Sequence, residues 1–189
     1  KSARAESEQA TGDAILAAAR NAFLTEAFDR VTLRRIADES GVTVQTVIRR
    51  FGSKEALFQA FVERERPRVL ASRESNAGAG VSAAIEKLVD HYEEDGELIL
   101  NFVAQEHRSE TIAAIVAEGR EAHKAWVETH CAHLMATVEG RERKLVLASA
   151  IAATDLGTWK LLRRDLGFSR EDVVTIMSGL IAGIERRST

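Results

Sequence analysis

Two short amphipathic segments, residues 32–40 and 43–50, constrain the fold of this chain more than any other feature. Each begins at a threonine, Thr32 or Thr43, whose hydroxyl can accept a hydrogen bond from a free amide of a helical first turn. Gly41 separates the segments, and glycine readily ends a helix. The pattern therefore predicts two short helices joined by a tight turn, which is the geometry of a helix-turn-helix.

The apolar and polar residues of these segments are predicted to lie on opposite sides. Ile36, Ala37 and Val47 would pack the two helices together, since the small alanine lets the backbones approach closely. The residues of the second segment that then face outward are Thr43, Val44, Gln45, Thr46, Arg49 and Arg50. An α-helix fits the major groove of DNA, where its early residues reach the base edges. We therefore expect the second helix to read DNA.

The side chains of this helix suit base recognition. Gln45 can pair with the N6 and N7 edge of adenine, and Val44 can touch a thymine methyl group. Either Arg49 or Arg50 can reach guanine or a phosphate.

Other side chains are expected to hold the DNA backbone, which positions a protein without reading sequence. The residues placed for phosphate contacts are Thr32, Thr43, Thr46 and Lys54. Lys54 lies in a helical first turn, where its charge opposes the helix dipole, and a nearby phosphate would explain it. Arg34 and Arg35 complete the predicted DNA-binding residues.

Charge is distributed unevenly along the chain. The formal net charge is −3, yet residues 30–54 hold six basic residues against two acidic ones, a local charge of +4. A basic segment on an otherwise acidic protein fits local contact with phosphate and repulsion of DNA elsewhere. On charge alone, a solvated charged face explains the pattern equally well.

The composition favours helix throughout. A single proline and 12 glycines interrupt a chain rich in Ala, Leu, Arg and Glu, which lose little rotamer freedom in a helix. The apolar spacing predicts an all-α protein of about nine helices. Residues 9–69 would form an N-terminal three-helix helix-turn-helix domain, and residues 70–189 a C-terminal helical domain for dimerisation and ligand binding.

Helix ends in the N-terminal part are predicted from breakers and capping residues. Residues 1–10 carry no apolar period and are expected to be a frayed arm before a helix from Thr11. Ser53 is expected to cap a fourth helix that runs to the region of Pro67. The glycine-rich stretch 71–80 is predicted to be a loop.

In the C-terminal part, a helix is predicted to stop at Asp95 and Gly96 before a shorter one. A long helical region, 109–138, has a candidate break near Gly119. A further helix, 141–166, would be closed by a glycine, and a capping pattern over 169–172 would open the last helix.

The run Thr32–Phe58 resembles the second, third and early fourth helices of the TetR family of transcriptional regulators. The match lies in order, spacing and residue type, and with the helix from Thr11 it covers roughly residues 9 to 65. The C-terminal part resembles the family only in helix count.

The resemblance implies phosphate contacts from Thr32, Thr46 and Lys54, and base contacts from residues 43–45. The sequence departs from the family at Ile48-Arg49, where members usually have an aromatic pair. An arginine would then replace a contact from tyrosine to phosphate.

Large or polarizable side chains of the C-terminal part can line an apolar ligand pocket or form an ordinary core. The predicted pocket residues are Phe102, Trp126, His130, Asp155 and Trp159. Asp155 is a carboxylate on an otherwise apolar helix. It could orient a ligand, pair across a dimer interface or be exposed.

The last two predicted helices carry more apolar surface than one core needs, together with small residues such as Ala148, Ala152, Gly179 and Gly183. Extra apolar faces indicate a partner. Two such helices from each subunit would form the four-helix dimer bundle that the family resemblance implies.

Other kinds of site find little support. His123, His130 and His133 share a helix face, but no further ligand converges on them, so we predict no metal and no other cofactor. Cys131 is the only cysteine, which excludes an intramolecular disulfide. The chain lacks a glycine-rich phosphate loop and a Gly-x-Ser-x-Gly motif, so we expect no enzyme and no catalytic residues.

The sequence thus predicts a cytoplasmic homodimeric repressor that binds a palindromic operator and is released by a small-molecule effector of unknown identity. No apolar run approaches the roughly 20 residues that cross a bilayer, and the polar start lacks a signal-peptide core. Two alternatives remain open. One is an all-helical small-molecule-binding protein or enzyme in which the basic segment is incidental, and the other is a purely structural helical dimer.

Overall fold

The computed structural model describes residues 2–73 and 80–188, and these residues form helices and no strand. The α-helices are α1 Ser2–Thr25, α2 Leu33–Ser40, α3 Val44–Phe51, α4 Lys54–Arg73, α5 Gly80–Val103, α6 Glu110–His130, α7 Gly140–Thr154, α8 Leu156–Lys160 and α9 Arg170–Ser188. Short 3-10 turns lie at Glu106–Arg108 and Ala132–Met135, and a π-helical turn at Leu161–Asp165. The predicted all-α fold is confirmed.

The described residues fall into two compact units. The N-terminal unit comprises the chain up to Val69 together with Asn101–Ala113, and the C-terminal unit comprises Leu70–Leu100 and the chain from Ala114 onward. The helices α5 and α6 each contribute residues to both units. The predicted domains, 9–69 and 70–189, stay a prediction.

An aromatic cluster forms the core of the N-terminal unit. The ring of Phe58 packs edge-on against Phe23 at 5.0 Å and against Phe102 at 5.2 Å, measured between ring centroids. Two side-chain amides, one at the end of α5 and one just after it, bind the end of α1 and the backbone that follows it. Asn101 Nδ2 donates to the carbonyl of Phe23 at 2.7 Å, and Gln105 Oε1 accepts from the amide of Phe28 at 2.6 Å.

The helix α1 begins earlier than predicted. Residues 2–10, expected to be a frayed arm, continue the helix, and Thr11 Oγ1 donates to the carbonyl of Ser7 at 2.8 Å. This stretch lacks an apolar face, but its Ala, Glu and Gln residues favour helix without one. The apolar period was therefore the wrong guide to where the helix begins.

The helix α4 continues through Pro67 to Arg73, although proline removes one helical hydrogen bond. Residues on both sides hold it in place, because Phe58 and Phe61 are buried before the proline and Arg73 contacts His123 at 3.2 Å after it. Of the predicted loop 71–80, residues 71–73 are helical and Gly80 begins α5, while residues 74–79 lie outside the described residues.

Two predicted helix breaks at glycine are wrong. The helix α5 runs unbroken through Gly96, and α6 runs unbroken through Gly119 to His130. At Gly96 the glycine serves packing, because a Cβ there would lie 2.6 Å from the ring of Trp159. The break in the long helical region comes instead at Cys131, before the second 3-10 turn.

The predicted single helix 141–166 is interrupted at Asp155. Its backbone is extended, with φ −68° and ψ 152°, and its carboxylate accepts from the amide of Gly157 at 2.7 Å, so it caps α8. Aspartate is among the preferred capping residues, which explains the new helix start. Gly167, with φ 74°, closes this region as predicted, and Ser169 Oγ accepts from the amide of Asp172 at 3.1 Å at the start of α9.

We expect Gly96→Ala to lower the free energy of unfolding by about 1 to 3 kcal/mol, because the added methyl group would overlap the fully buried Trp159 ring. Gly119→Ala is the matched control, since a Cβ there meets open space and should gain up to about 1 kcal/mol from helix propensity. Urea denaturation measures both variants. A Gly96→Ala protein as stable as the control would show that the Trp159 contact does not require glycine.

Candidate functional site

The helices α2 and α3 form the predicted helix-turn-helix. Thr32 Oγ1 accepts from the amide of Arg35 at 3.2 Å and caps α2. Gly41 ends that helix in the left-handed conformation, with φ 70°. Its amide and that of Val42 donate to carbonyls of the last turn at 3.3 and 3.0 Å. These bonds satisfy free groups at both ends of α2 and fix the turn.

The helix α3 is capped at both ends and buries one side only. Thr43 Oγ1 accepts from the amide of Thr46 at 3.2 Å and lies 2.9 Å from Thr46 Oγ1. The amide of Gly52 donates to the carbonyl of Ile48 at 2.8 Å at the other end. Val47 is fully buried on the inner side. The segment beginning at Thr43 is therefore a helix with a solvent-facing side, as predicted.

Gln45 and Arg49 occupy this outer side. Both are exposed, and within the described parts of the chain neither side chain makes a hydrogen bond or an ion pair. Arg34 on α2 is exposed in the same way, and Val44 is half-buried. An exposed amide and two exposed guanidinium groups present donors and acceptors that an external partner can use.

Arg50 points elsewhere. Its guanidinium lies over the backbone of α1 at Gly12, where any Cβ would overlap it, and 5.9 Å from the ring centroid of Phe51. The side chain is exposed, but it packs against the protein. The sequence pattern predicts that Arg49 and Arg50 both face outward, whereas in the structure Arg49 faces solvent and Arg50 packs against α1.

Arg35 is engaged within the N-terminal unit. It forms ion pairs with Glu26 at 2.5 Å and Glu39 at 2.7 Å, and donates to Thr25 Oγ1 at 3.0 Å. The hydrogen bond that this guanidinium donates to Glu39 raises its pKa, so it stays charged. Two carboxylates thus neutralise a charge that the sequence assigned to DNA.

Lys54 also has a partner inside the chain. Its Nζ donates to the carbonyl of Phe28 at 2.7 Å and lies 4.5 Å from the centroid of the Phe28 ring. This contact fastens the start of α4 to the segment between α1 and α2. It explains the positive charge in the first turn of α4 without a phosphate. Because Lys54 and Phe28 are 26 residues apart, a local sequence pattern does not predict their contact.

The structure disperses the predicted pocket residues. Trp159 is fully buried, and its Nε1 donates to Glu93 Oε1 at 2.9 Å. Asp155 is exposed and caps α8, and Phe102 belongs to the aromatic core of the N-terminal unit. Only Trp126 and His130 are brought together, with ring centroids 4.6 Å apart.

A buried polar cluster in the C-terminal unit was missed by the sequence prediction. It comprises Arg73, Tyr92, His123 and Thr154. Arg73 Nη2 lies 3.2 Å from His123 Nδ1, and His123 Nε2 lies 3.2 Å from Thr154 Oγ1. Tyr92 donates from its hydroxyl to the carbonyl of Thr154 at 3.1 Å. The available signal was the i, i+3 spacing of His123 and Trp126, which lie on one face of α6.

Burial governs protonation in this cluster. It lowers the pKa of His123 to about 4, and the positive charge of Arg73 acts in the same direction. Burial also lowers the pKa of Arg73 and raises that of Tyr92. His123 is therefore neutral at physiological pH. Among the described residues, no group of three His, Cys, Asp or Glu side chains could hold a metal ion.

The outer surface of α7 to α9 is apolar. Its exposed large side chains are Leu145, Leu161, Leu166, Phe168 and Leu180. An open groove of about 560 Å³ runs along α7 and α8, lined by Ala148, Ile151, Ala152, Asp155, Gly157, Thr158 and Leu161. We call these residues together the α7–α9 surface.

Within the described residues, the stretch Gly140–Asp165 is long and apolar enough to cross a bilayer by length and composition. The sequence predicts no such stretch. In the single chain, 39% of its most apolar window is buried.

We expect stability to fall as pH drops from about 6.5 to about 4, because the unfolded chain binds a proton at His123 in this range and the folded chain does not. The contribution is fully present above the unfolded pKa, and its complete loss amounts to about 3 kcal/mol. Urea denaturation of His123→Gln at pH 7 and pH 4.5 should show a smaller pH effect than the parent protein. The exposed His133→Gln is the control, and equal slopes in all three proteins would contradict the assignment.

Comparison with known proteins addresses the family. Residues 15–61 match the model of the bacterial regulatory proteins of the tetR family, and this match spans α2, α3 and parts of α1 and α4. Comparison with curated protein sequences gives no match.

Solved structures share the fold along most of the chain. A Rhodococcus sp. protein assigned to the TetR family has a TM-score of 0.71 at 18% identity, covering 93% of this chain and 98% of its own. A tetR-family transcriptional regulator from Streptomyces coelicolor has a TM-score of 0.67 at 19% identity, covering 94% and 87%. A transcriptional regulator from Aquifex aeolicus VF5 has a TM-score of 0.66 at 14% identity, covering 94% and 99%.

The structural likeness shows the fold, and the sequence match identifies the N-terminal domain, whose capped α2 and α3 carry the exposed outer side described above. The chain is thus a DNA-binding transcriptional regulator with a TetR-type N-terminal domain at residues 15–61, and it shares the fold of TetR-family regulators.

Proposed function

We propose that the chain is a homodimeric repressor whose two α3 helices enter successive major grooves of a palindromic operator, about 34 Å apart. The observation that carries this proposal is the outer side of α3, where Gln45 and Arg49 are exposed and make no polar contact within the described parts of the chain. A helix capped at both ends presents these groups without a cost for ordering the backbone.

Not every predicted cation has the same role. The residues proposed to touch DNA are Thr32, Arg34, Thr43, Val44, Gln45, Thr46 and Arg49. Gln45 and Val44 would read bases, and the threonines and Arg34 would bind phosphates. Arg35, Arg50 and Lys54 would instead hold the helix-turn-helix in place, because each already contacts another part of the N-terminal unit.

The α7–α9 surface is the proposed dimer interface. TetR-family regulators act as dimers, and a second copy of this chain is the occupant that would cover the exposed leucines. Two helices from each subunit would form a four-helix bundle, in which the small residues Ala148, Ala152 and Gly179 allow close approach.

Release from the operator would come from an effector bound in the C-terminal domain, residues 70–189. By favouring a subunit arrangement with the wrong spacing of the recognition helices, the effector would weaken operator binding by about 1 to 3 kcal/mol. As such a regulator, the protein would act in the cytoplasm, and it would need neither a catalytic site nor a cofactor.

Gln45→Ala and Arg34→Ala should weaken DNA binding in different ways. Removing Gln45 should cost about 1 to 3 kcal/mol and relax the preference at one base pair. Removing Arg34 should weaken binding to all sequences alike and reduce the salt slope by about one counterion per site.

Fluorescence anisotropy with duplexes selected from a random library, at several salt concentrations, measures both effects. Arg141→Ala is the control, because it removes the same charge from an exposed position on α7. Unchanged salt dependence in an Arg34→Ala, Arg49→Ala double variant would favour the alternative that the basic segment is incidental.

Leu180→Glu should convert the dimer to monomers, because the charge would be buried in the proposed interface. Leu180 is 45% exposed in the single chain, so the substitution should leave the folded subunit intact. Leu24→Glu is the control, since Leu24 is 38% exposed and lies outside the α7–α9 surface. Sedimentation velocity gives the oligomeric state, and a Leu180→Glu dimer would exclude this interface.

A further inference from the structure

The polar cluster inside the C-terminal unit has more donors than acceptors. Because a guanidinium can only donate, His123 Nδ1 accepts from Arg73, and the imidazole proton must lie on Nε2. That proton is donated to Thr154 Oγ1, which donates in turn to the carbonyl of Ala150 at 2.8 Å. The chain of bonds thus ends on the backbone and leaves no acceptor for other donors.

Of the buried side-chain atoms that have no hydrogen-bond partner among the described residues, two lie beside His123. They are Arg73 Nε and Trp126 Nε1. Trp126 is only 7% exposed, and its ring is stacked nearly parallel to His123, with centroids 5.9 Å apart and an angle of 10°. Since His123 contacts Arg73 directly, both unsatisfied donors flank the same imidazole.

Arg73 differs from three arginines of this unit that have carboxylate partners. Arg170 is paired with Asp90 at 2.5 Å, Arg163 with Glu93 at 2.9 Å, and Arg164 with Glu97 at 2.6 Å. Arg73 has no carboxylate partner in the described parts of the chain, although the residue is half-buried and its Nε is fully buried. Removing a charge from water without an anion beside it is destabilising.

Asp155 lies close enough to affect the pKa values of His123 and Tyr92, but it is not hydrogen-bonded to any of the four residues of the cluster. Its carboxylate is exposed and accepts from the amide of Gly157 at the start of α8. The other side chains of the cluster, His123, Tyr92 and Thr154, are neutral. Among the described residues, the half-buried guanidinium of Arg73 and the two buried N–H groups beside His123 are therefore groups that an external anion would satisfy.

We propose that the C-terminal unit binds a small organic carboxylate whose oxygens accept hydrogen bonds from Arg73 Nε and Trp126 Nε1. A monoanion matches the single guanidinium, whereas a doubly charged phosphate would leave one buried charge uncompensated. This proposal rests on the effector-responsive regulator proposed above, because the carboxylate would be its effector.

Benzoate and octanoate, each compared with its uncharged amide, test the charge requirement. Thermal unfolding and tryptophan fluorescence of the full chain report binding without DNA. We expect both carboxylates at millimolar concentration to raise the melting temperature and change the fluorescence, and the amides to bind at least tenfold more weakly. Equal effects of carboxylates and amides with both probes would overturn the proposal.

Arg73→Met separates a binding role from a structural one. It should abolish the response to carboxylate, because it removes the proposed anion-binding donor. Trp126→Phe should weaken carboxylate binding several-fold. Arg170→Met is the control, since Arg170 has its own carboxylate partners. It should lower the melting temperature and keep the carboxylate response.

An Arg73→Met protein that still responds fully to carboxylate would contradict the proposal. Operator affinity with and without benzoate is measured separately by anisotropy. Carboxylate binding that leaves operator affinity unchanged would support the site and refute the effector role. Failure to bind DNA at all would refute the proposed regulator but leave the ligand measurements valid.

Discussion

The capped turn between α2 and α3 is the constraint on which the DNA-binding surface depends. Helices of this length are marginal alone, since each leaves free amides and carbonyls at both ends. Here Thr32 and Thr43 accept from first-turn amides, and Gly41 and Gly52 donate to last-turn carbonyls. Val47 then needs to bury only one side of α3, which leaves the opposite side free for a partner.

The basic residues around this turn serve two physical purposes. Arg34 and Arg49 keep exposed charges, whereas Arg35, Arg50 and Lys54 are bound to carboxylates, to α1 or to a backbone carbonyl. The second group fixes the helices that carry the first. The local charge of +4 already includes Glu39 but not Glu26, which also pairs with Arg35, so it overstates the charge available to DNA.

The C-terminal unit follows the same rule that buried groups need partners. The ring of Trp159 packs on Gly96 and its Nε1 donates to Glu93, so the indole is both closely packed and hydrogen-bonded. Arg73 Nε and Trp126 Nε1 are among the buried atoms that have no hydrogen-bond partner within the described residues. On the outside, the apolar α7–α9 surface lacks a covering layer in the single chain. The proposed partner of the cluster around His123 is a small anion, and that of the α7–α9 surface is a second subunit.

The sequence by itself determined the all-α class, the helix-turn-helix and the caps at Thr32, Gly41 and Thr43. These signals act within one turn of helix, so they can be recognised locally. Only the tertiary structure decided that Gly96 and Gly119 continue their helices, and that Lys54 reaches Phe28. The cluster around His123 likewise joins residues as far apart as 73 and 154. Such contacts depend on how helices pack, and helical periodicity names the buried face of each helix without naming its partner.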